Sequence, residues 1–258
     1  VIDLPGRIAV VTGASSGLGR RIALDLAHAG ATVVGVARRE NALRQLAGEM
    51  REVSPDSGFT PCDVSDVDAY RALLAVVEEE RGRIDLLVQA AGWEQRTRVE
   101  DADLDLYRSI METNFFAVVA GTLAVVPGML ERHFGVVVNV SSDHGRAPAP
   151  GTPAYSASKA GLSAFTESVA HEVADRGVRL HILYPGWVPT PMGQGVVEAG
   201  MKPPPRIVRR TEEQVSRAVL KTMGTPAIDI NVARIATLAP VMRSLAPPLY
   251  RRSMRAQG

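Results

Sequence analysis

The chain predicts an α/β fold, a doubly wound parallel sheet of six to seven strands with helices on both faces. Over its first two-thirds, short β-branched apolar runs alternate with longer amphipathic stretches, the pattern of a parallel sheet covered on both sides. A glycine-rich turn follows the first run, and no linker-like change of composition divides the 258 residues. The expected organisation is therefore one domain over 1–258, with a substrate lid at about 190–212 and a C-terminal extension at about 225–258.

In order, the strands are Ile8 to Val11, Thr32 to Val36, Phe59 to Pro61, Leu86 to Gln89, Val136 to Val140 and Arg179 to Leu183, with Ala227 to Val232 as a possible seventh. Between them lie helical stretches. The clearest is Ala154 to Asp175, where Leu162, Phe165, Val169 and Val173 recur at helical spacing. Ser65-Asp66-Val67-Asp68 and Thr211-Glu212-Glu213-Gln214 read as capping boxes at helix starts. After Pro185 proline, glycine and arginine become dense, and so long a structureless stretch suggests a lid. The tail carries Arg234, Arg243, Arg251, Arg252 and Arg255 on an apolar background. It reads either as a helix packed on its own domain or as an amphipathic docking surface for a partner subunit or a membrane.

Composition narrows the function. With 46% hydrophobic and 22% charged residues the chain can bury a sizeable core. Lys+Arg 29 against Asp+Glu 28 gives no general positive field for nucleic acid or anionic membranes, so any basic site must be local. A single cysteine, Cys62, allows no internal disulfide, no secretory signal opens the chain, and no uninterrupted apolar run approaches a membrane span. A reducing cytoplasm is the expected home. The chain begins at Val1 without an initiator methionine, which leaves room for a trimmed leader.

The turn Thr12 to Gly19, TGASSGLG, leads into the helical run Arg20 to Ala29. Glycine at Gly13, Gly17 and Gly19 lets backbone turn tightly and approach a pyrophosphate, while free N–H groups at the helix start favour negative charge. Ser15, Ser16 and Leu18 belong to the same anion-binding turn. After the second strand the residues are Ala37, Arg38, Arg39 and Glu40. The position that in such folds takes an acidic residue against a ribose 2′-hydroxyl is vacant here. Arginine can instead bind a 2′-phosphate, so NADP(H) is expected over NAD(H).

Tyr155 and Lys159 are four residues apart and share one helix face. An ammonium near a phenol stabilises phenolate, and Ser142, at the end of the fifth strand, can hydrogen-bond a substrate carbonyl. Substrate-facing candidates follow from position: Trp93 and Glu94 after the fourth strand, Asp143 and His144 beside Ser142, Trp187 after Pro185-Gly186, and Met192 in the lid. The two tryptophans suggest a pocket for a bulky apolar substrate. His144 has no companion ligands, so no metal is expected.

Taken together, these residues resemble the short-chain dehydrogenase/reductase family, a Rossmann-like fold, over roughly Gly6 to Met192. The resemblance rests on Thr12-Gly13-x-x-x-Gly17-x-Gly19, Asp63, Ala90-Ala91-Gly92, Asn114, the Ser142, Tyr155 and Lys159 set, and Pro185-Gly186 followed by Thr190. It implies that Tyr155 is the general acid/base and that Lys159 lowers its pKa and binds the nicotinamide ribose. It implies further that Ser142 orients the carbonyl or hydroxyl and that Asn114 supports a water-linked proton relay. Asp63 and Val64 would contact adenine, and Val188 and Thr190 the carboxamide and phosphates. The implied function is hydride transfer between NADP(H) and a ketone, aldehyde or secondary alcohol, by a homo-oligomer assembled through its long central helices. A 3-oxoacyl thioester reductase and a non-catalytic NADP(H) sensor or scaffold are the alternatives. Two departures stand out. Gln89-Ala90 replaces the family's paired asparagines, which puts the bracing of the central strands and cofactor affinity in question, and the usual C-terminal strand ending in D-G-G is missing.

Overall fold

In the computed structural model, residues 2–198 and 204–255 are described. Seven strands form one all-parallel sheet: β1 (Ile8–Thr12), β2 (Thr32–Ala37), β3 (Gly58–Pro61), β4 (Leu86–Gln89), β5 (Gly135–Val140), β6 (Val178–Tyr184) and β7 (Asp229–Asn231). Their order is β3-β2-β1-β4-β5-β6-β7. The order reverses between β1 and β4, so the crevice outside their carboxyl ends is the expected ligand site. All seven sequence-predicted strands are present, most of them one residue longer at one end. Central strands read as continuous Val, Leu and Ile because both faces are covered: Ala9, Val10, Val11, Leu87, Val88 and Val137 are wholly buried.

Helices α1 (Gly17–His28), α2 (Glu40–Arg51), α3 (Val67–Arg81), α4 (Leu104–Met111), α5 (Ala117–Glu131) and α6 (Pro153–Val173) supply the crossovers between strands. Beyond β6 come α7 (Pro191–Glu198), α8 (Glu212–Thr222), α9 (Leu238–Leu245) and α10 (Pro247–Arg255). The Thr211–Gln214 capping box forms as predicted at the start of α8. At α3 the cap is one residue later than predicted. Asp66 accepts from Ala69 N, while the Ser65 hydroxyl donates to Asp63 instead.

A five-residue π-helical turn, Glu112–Phe116, joins α4 to α5. The two helices thus run continuously from Leu104 to Glu131, 28 residues of which an 18-residue window has a mean hydropathy of 1.7, long and apolar enough by composition to cross a membrane. A search for uninterrupted apolar runs overlooks it because Glu112 and Asn114 break the run. Here it packs on α3 and α6.

In its described residues the lid expected at 190–212 has more regular structure than its composition suggested. Pro191 opens α7 at a position where the missing N–H costs nothing, and Arg206–Val208 form a single 3-10 turn. Trp187 N donates to Val208 O and Arg210 N to Trp187 O, which staples the strand's exit to the lid. Residues 199–203 of the predicted lid, Gly200 and Pro203 among them, lie outside the described residues.

The missing paired asparagines prove to be replaced. From β4, Gln89 donates to Val118 O, Thr122 Oγ1 and Asn139 Oδ1 and accepts from the Tyr70 hydroxyl. One side chain therefore braces β4 against β5, α3 and α5. Gly121 makes room for it, since a Cβ there would lie 2.4 Å from Gln89 Oε1.

Candidate active site

Nearly every residue singled out in the sequence faces one cavity of about 1190 Å³ at the carboxyl ends of the strands. Its floor is the turn after β1. Gly13 has φ +68°, and a Cβ there would stand 2.8 Å from the Ala90 carbonyl and Ala91 N. Such close approach of two backbones is open only to glycine. Gly17, at φ +56°, would push its Cβ to 3.1 Å from Thr190 Cγ2. Ser15, Ser16 and Leu18 line the same floor, Ala90, Ala91 and Gly92 form its back, and Pro185, Gly186, Val188 and Thr190 close the far side. The Thr12 hydroxyl accepts from Ala91 N at 3.2 Å, tying β1 to the exit of β4.

The end beyond β2 is basic. Arg39 donates to Ser15 Oγ at 2.9 Å and to Ser16 Oγ at 2.6 Å, and Arg38 lies 3.6 Å from Asp63 with its side chain 76% exposed. Burial would raise the Asp63 carboxyl, but hydrogen bonds from Ser65 and the Arg38 charge hold it below its ordinary value. Val64 lines the wall beside it. A glycine cradle too tight for any Cβ, N–H groups at a helix start and two arginines at one end fit an extended anionic dinucleotide.

At the other end stand the polar residues. Lys159 is 4% exposed and its Nζ donates to Val140 O at 2.8 Å. The ammonium lies 5.8 Å from the Tyr155 ring centre. Burial pulls Lys159 down to about 8, against the attraction of Glu94. Burial also pushes the Tyr155 phenol well above its ordinary value, Glu94 and Asp143 adding to the rise and hydrogen bonding to Ser142 opposing it. His144, edge-on to Tyr155 at 5.9 Å, is pushed down to about 4 by burial and the Arg96 charge, so it is neutral at pH 7. Ser142 Oγ accepts from His144 N at 3.2 Å, and its own O–H is left to donate toward the Tyr155 oxygen. Gly145 lets this turn pack on α6, since a Cβ there would meet Lys159 O at 2.8 Å.

Trp93, Glu94, Asp143, His144, Trp187 and Met192 all line this end. Asn114 alone among the predicted residues stands behind the wall. Held by the π-turn and wholly buried, its amide accepts from Trp93 N and donates to Trp93 O and Ser158 Oγ. The sequence reading missed Arg96, whose charge reaches both Glu94 and His144. It also missed Ile235, Ala239 and Met254, tail residues that complete the wall. No motif marks these; only the fold brings them here.

Comparison with known proteins agrees with this geometry. The short chain dehydrogenase family matches residues 7–200. A dehydrogenase/reductase SDR family member 7B of Rattus norvegicus is 32% identical over 98% of this chain and 82% of its own length. A short chain dehydrogenase of Pseudocercospora fijiensis is 39% identical over 74% of this chain, which spans only 62% of that relative. A short-chain type dehydrogenase/reductase from Mycobacterium marinum superposes with a TM-score of 0.77 at 29% identity, covering 84% of this chain and 88% of that one. The chain belongs to the short-chain dehydrogenase/reductase family, oxidoreductases that use a nicotinamide cofactor.

Proposed function

We propose that the protein is an NADP(H)-dependent oxidoreductase acting on a ketone, aldehyde or secondary alcohol, with Tyr155 as general acid/base. The observation that carries this reading is the meeting of Ser142, Tyr155 and Lys159 in the cavity that also holds the glycine cradle. When bound, the nicotinamide supplies or accepts the hydride.

Ser142, its oxygen engaged by His144 N, turns its hydroxyl proton from Tyr155 to the substrate oxygen and orients it. Tyr155, kept protonated by burial, gives its proton to that oxygen as the carbonyl carbon is reduced. Lys159 spends one N–H on Val140 O and keeps two for ribose hydroxyls and for the phenolate left behind. Asn114 acts as a positioning residue, clamping the loop that carries Trp93. Arg38 and Arg39 face the place a 2′-phosphate would occupy, which favours NADP(H). Trp93, Trp187 and Met192 favour a bulky apolar substrate.

A second reading, reduction of a 3-oxoacyl thioester, is supported by a relative. The 3-oxoacyl-acyl-carrier-protein reductase FabG of Vibrio harveyi is 36% identical over 74% of this chain and 77% of its own length. Assembly as a homo-oligomer and a reducing cytoplasmic setting complete the proposal.

The test is turnover of a panel of bulky ketones and a short 3-oxoacyl thioester by wild type and Tyr155→Phe, alongside dissociation constants for NADPH and NADH. Loss of roughly a hundredfold or more in kcat for Tyr155→Phe, with NADPH affinity retained, is expected for an absent proton donor. Undiminished turnover by that variant would overturn the mechanism, and equal affinity for the two dinucleotides would overturn the cofactor assignment.

A further inference from the structure

The inner side of α9 and α10 is occupied. Ile235, Ala239 and Met254 line the cavity, the Tyr250 hydroxyl donates to Pro148 O at 3.1 Å, and the Arg243 guanidinium donates to Arg146 O at 2.9 Å. The outer side carries large apolar residues in the open: Leu238 is 58% exposed, Val241 51%, Leu245 82% and Leu249 64%. Leu238, Val241 and Leu245 stand three and four apart on α9 and so share one face. Ile207, 61% exposed on the lid, follows Arg206 and stands two residues before Arg209.

Charge says what covers this face. From Val232 to the C-terminus there are five arginines, no lysine and no Asp or Glu. Since the whole chain carries only +1, the residues before the tail carry −4, and the tail joins the lid stretch 202–210, with Lys202, Arg206, Arg209, Arg210 and no acid, as strongly basic sequence in an otherwise acidic protein. Arg234, Arg243, Arg251 and Arg252 are all exposed. A second copy seated on the same face would set arginines against arginines across a two-fold contact. A bilayer bearing anionic headgroups meets both needs at once, with hydrocarbon depth for the leucines and negative charge for the guanidinium groups.

We propose that the outer face of α9 and α10 docks the protein on an anionic lipid bilayer, and that a substrate dissolved in that bilayer enters the cavity along the tail. Because the same two helices wall the cavity, docking brings the reactive end of the pocket close to the lipid surface. The delivery half rests on the carbonyl-reducing function proposed above; the docking half does not.

The experiment is flotation of the full chain with phosphatidylcholine vesicles, plain or containing about one-third phosphatidylglycerol, over a range of salt. Binding to the anionic vesicles that weakens with salt is expected. It should fall by about tenfold or more in Leu245→Glu/Leu249→Glu and in Arg251→Ser/Arg252→Ser. Unchanged melting temperature and NADPH affinity would show that these variants fold. With a lipophilic ketone presented in the vesicles, the leucine variant should lose turnover while a water-soluble ketone is reduced as by wild type. Equal recovery on both kinds of vesicle, or variants that float like wild type, would overturn docking. So would a leucine variant whose only change is the splitting of a dimer, or binding to soluble polyglutamate that the leucine changes leave intact. Vesicle binding without turnover of any ketone would overturn delivery alone.

Discussion

Glu94 is the residue whose chemistry the motif does not explain. Its carboxylate lines the reacting end of the cavity, and its Oε1 is buried with no hydrogen-bond partner among the described residues. Burial raises its pKa, with Arg96 and Lys159 pulling the other way. Its negative charge in turn opposes ionisation of the Tyr155 phenol and favours the Lys159 ammonium. Reduction needs the phenol protonated, and alcohol oxidation needs it ionised, so Glu94 biases the site toward reduction. Removing that charge in Glu94→Gln lets the phenol ionise more readily. The rising alkaline limb of alcohol oxidation should move to lower pH, in keeping with the loss of a nearby like charge. A pH–rate profile of oxidation for the two proteins checks it; a limb that stays in place or moves upward contradicts the assigned electrostatics. Such charge effects leave no trace in the sequence. Glu94 could be named there only as a loop residue near the pocket, because its distance from Tyr155 is a product of the fold.

Among the elements, β4 shows how a departure from a family pattern can be compensated locally. The sequence reading could state that Gln89 leaves bracing to be remade, but not that Tyr70, Thr122 and Asn139 converge on it, since they come from α3, α5 and β5. Its longer side chain reaches α5 only because Gly121 presents no Cβ. Gln89→Ala strands several buried polar groups at once and opens a small void. A cost of about 3 kcal/mol is expected, readable as a lowered urea midpoint with unchanged slope. A shift below about 0.5 kcal/mol would mean that water or a neighbour takes over the bonds. Strands were legible because a central parallel strand needs an unbroken β-branched run, and α6 because its apolar period is regular. The π-turn at Glu112–Phe116 was not legible: its one-residue slip in hydrogen bonding has no composition of its own.

At the scale of the whole molecule, the candidate site was read largely from its motifs because the family's chemistry sits on the ends of neighbouring strands. The tail was not, because its part in the wall depends on packing between segments about a hundred residues apart, as in the Tyr250 to Pro148 bond. Assembly is a further property of the whole. Phe116 and Leu123 are 46% and 61% exposed on the long α4–α5 helix, on the side away from the sheet core. A homo-oligomer that covers this face should lose mass in Phe116→Glu/Leu123→Glu, measured by light scattering at fixed concentration. A wild type that is monomeric, or variants of unchanged mass, would rule this face out as the contact.

The strand order carries a consequence for biosynthesis. β1 lies between β2 and β4, so a nascent chain that has emerged only as far as α3 leaves one margin of its first strand waiting for residues 86–89. The nucleotide cradle then waits further, because Thr190 and Val188 close it from beyond β6. A truncated chain ending before them would hold the glycine turn yet grip a dinucleotide poorly. Tight retention on an immobilised nucleotide therefore marks molecules whose synthesis has passed that point.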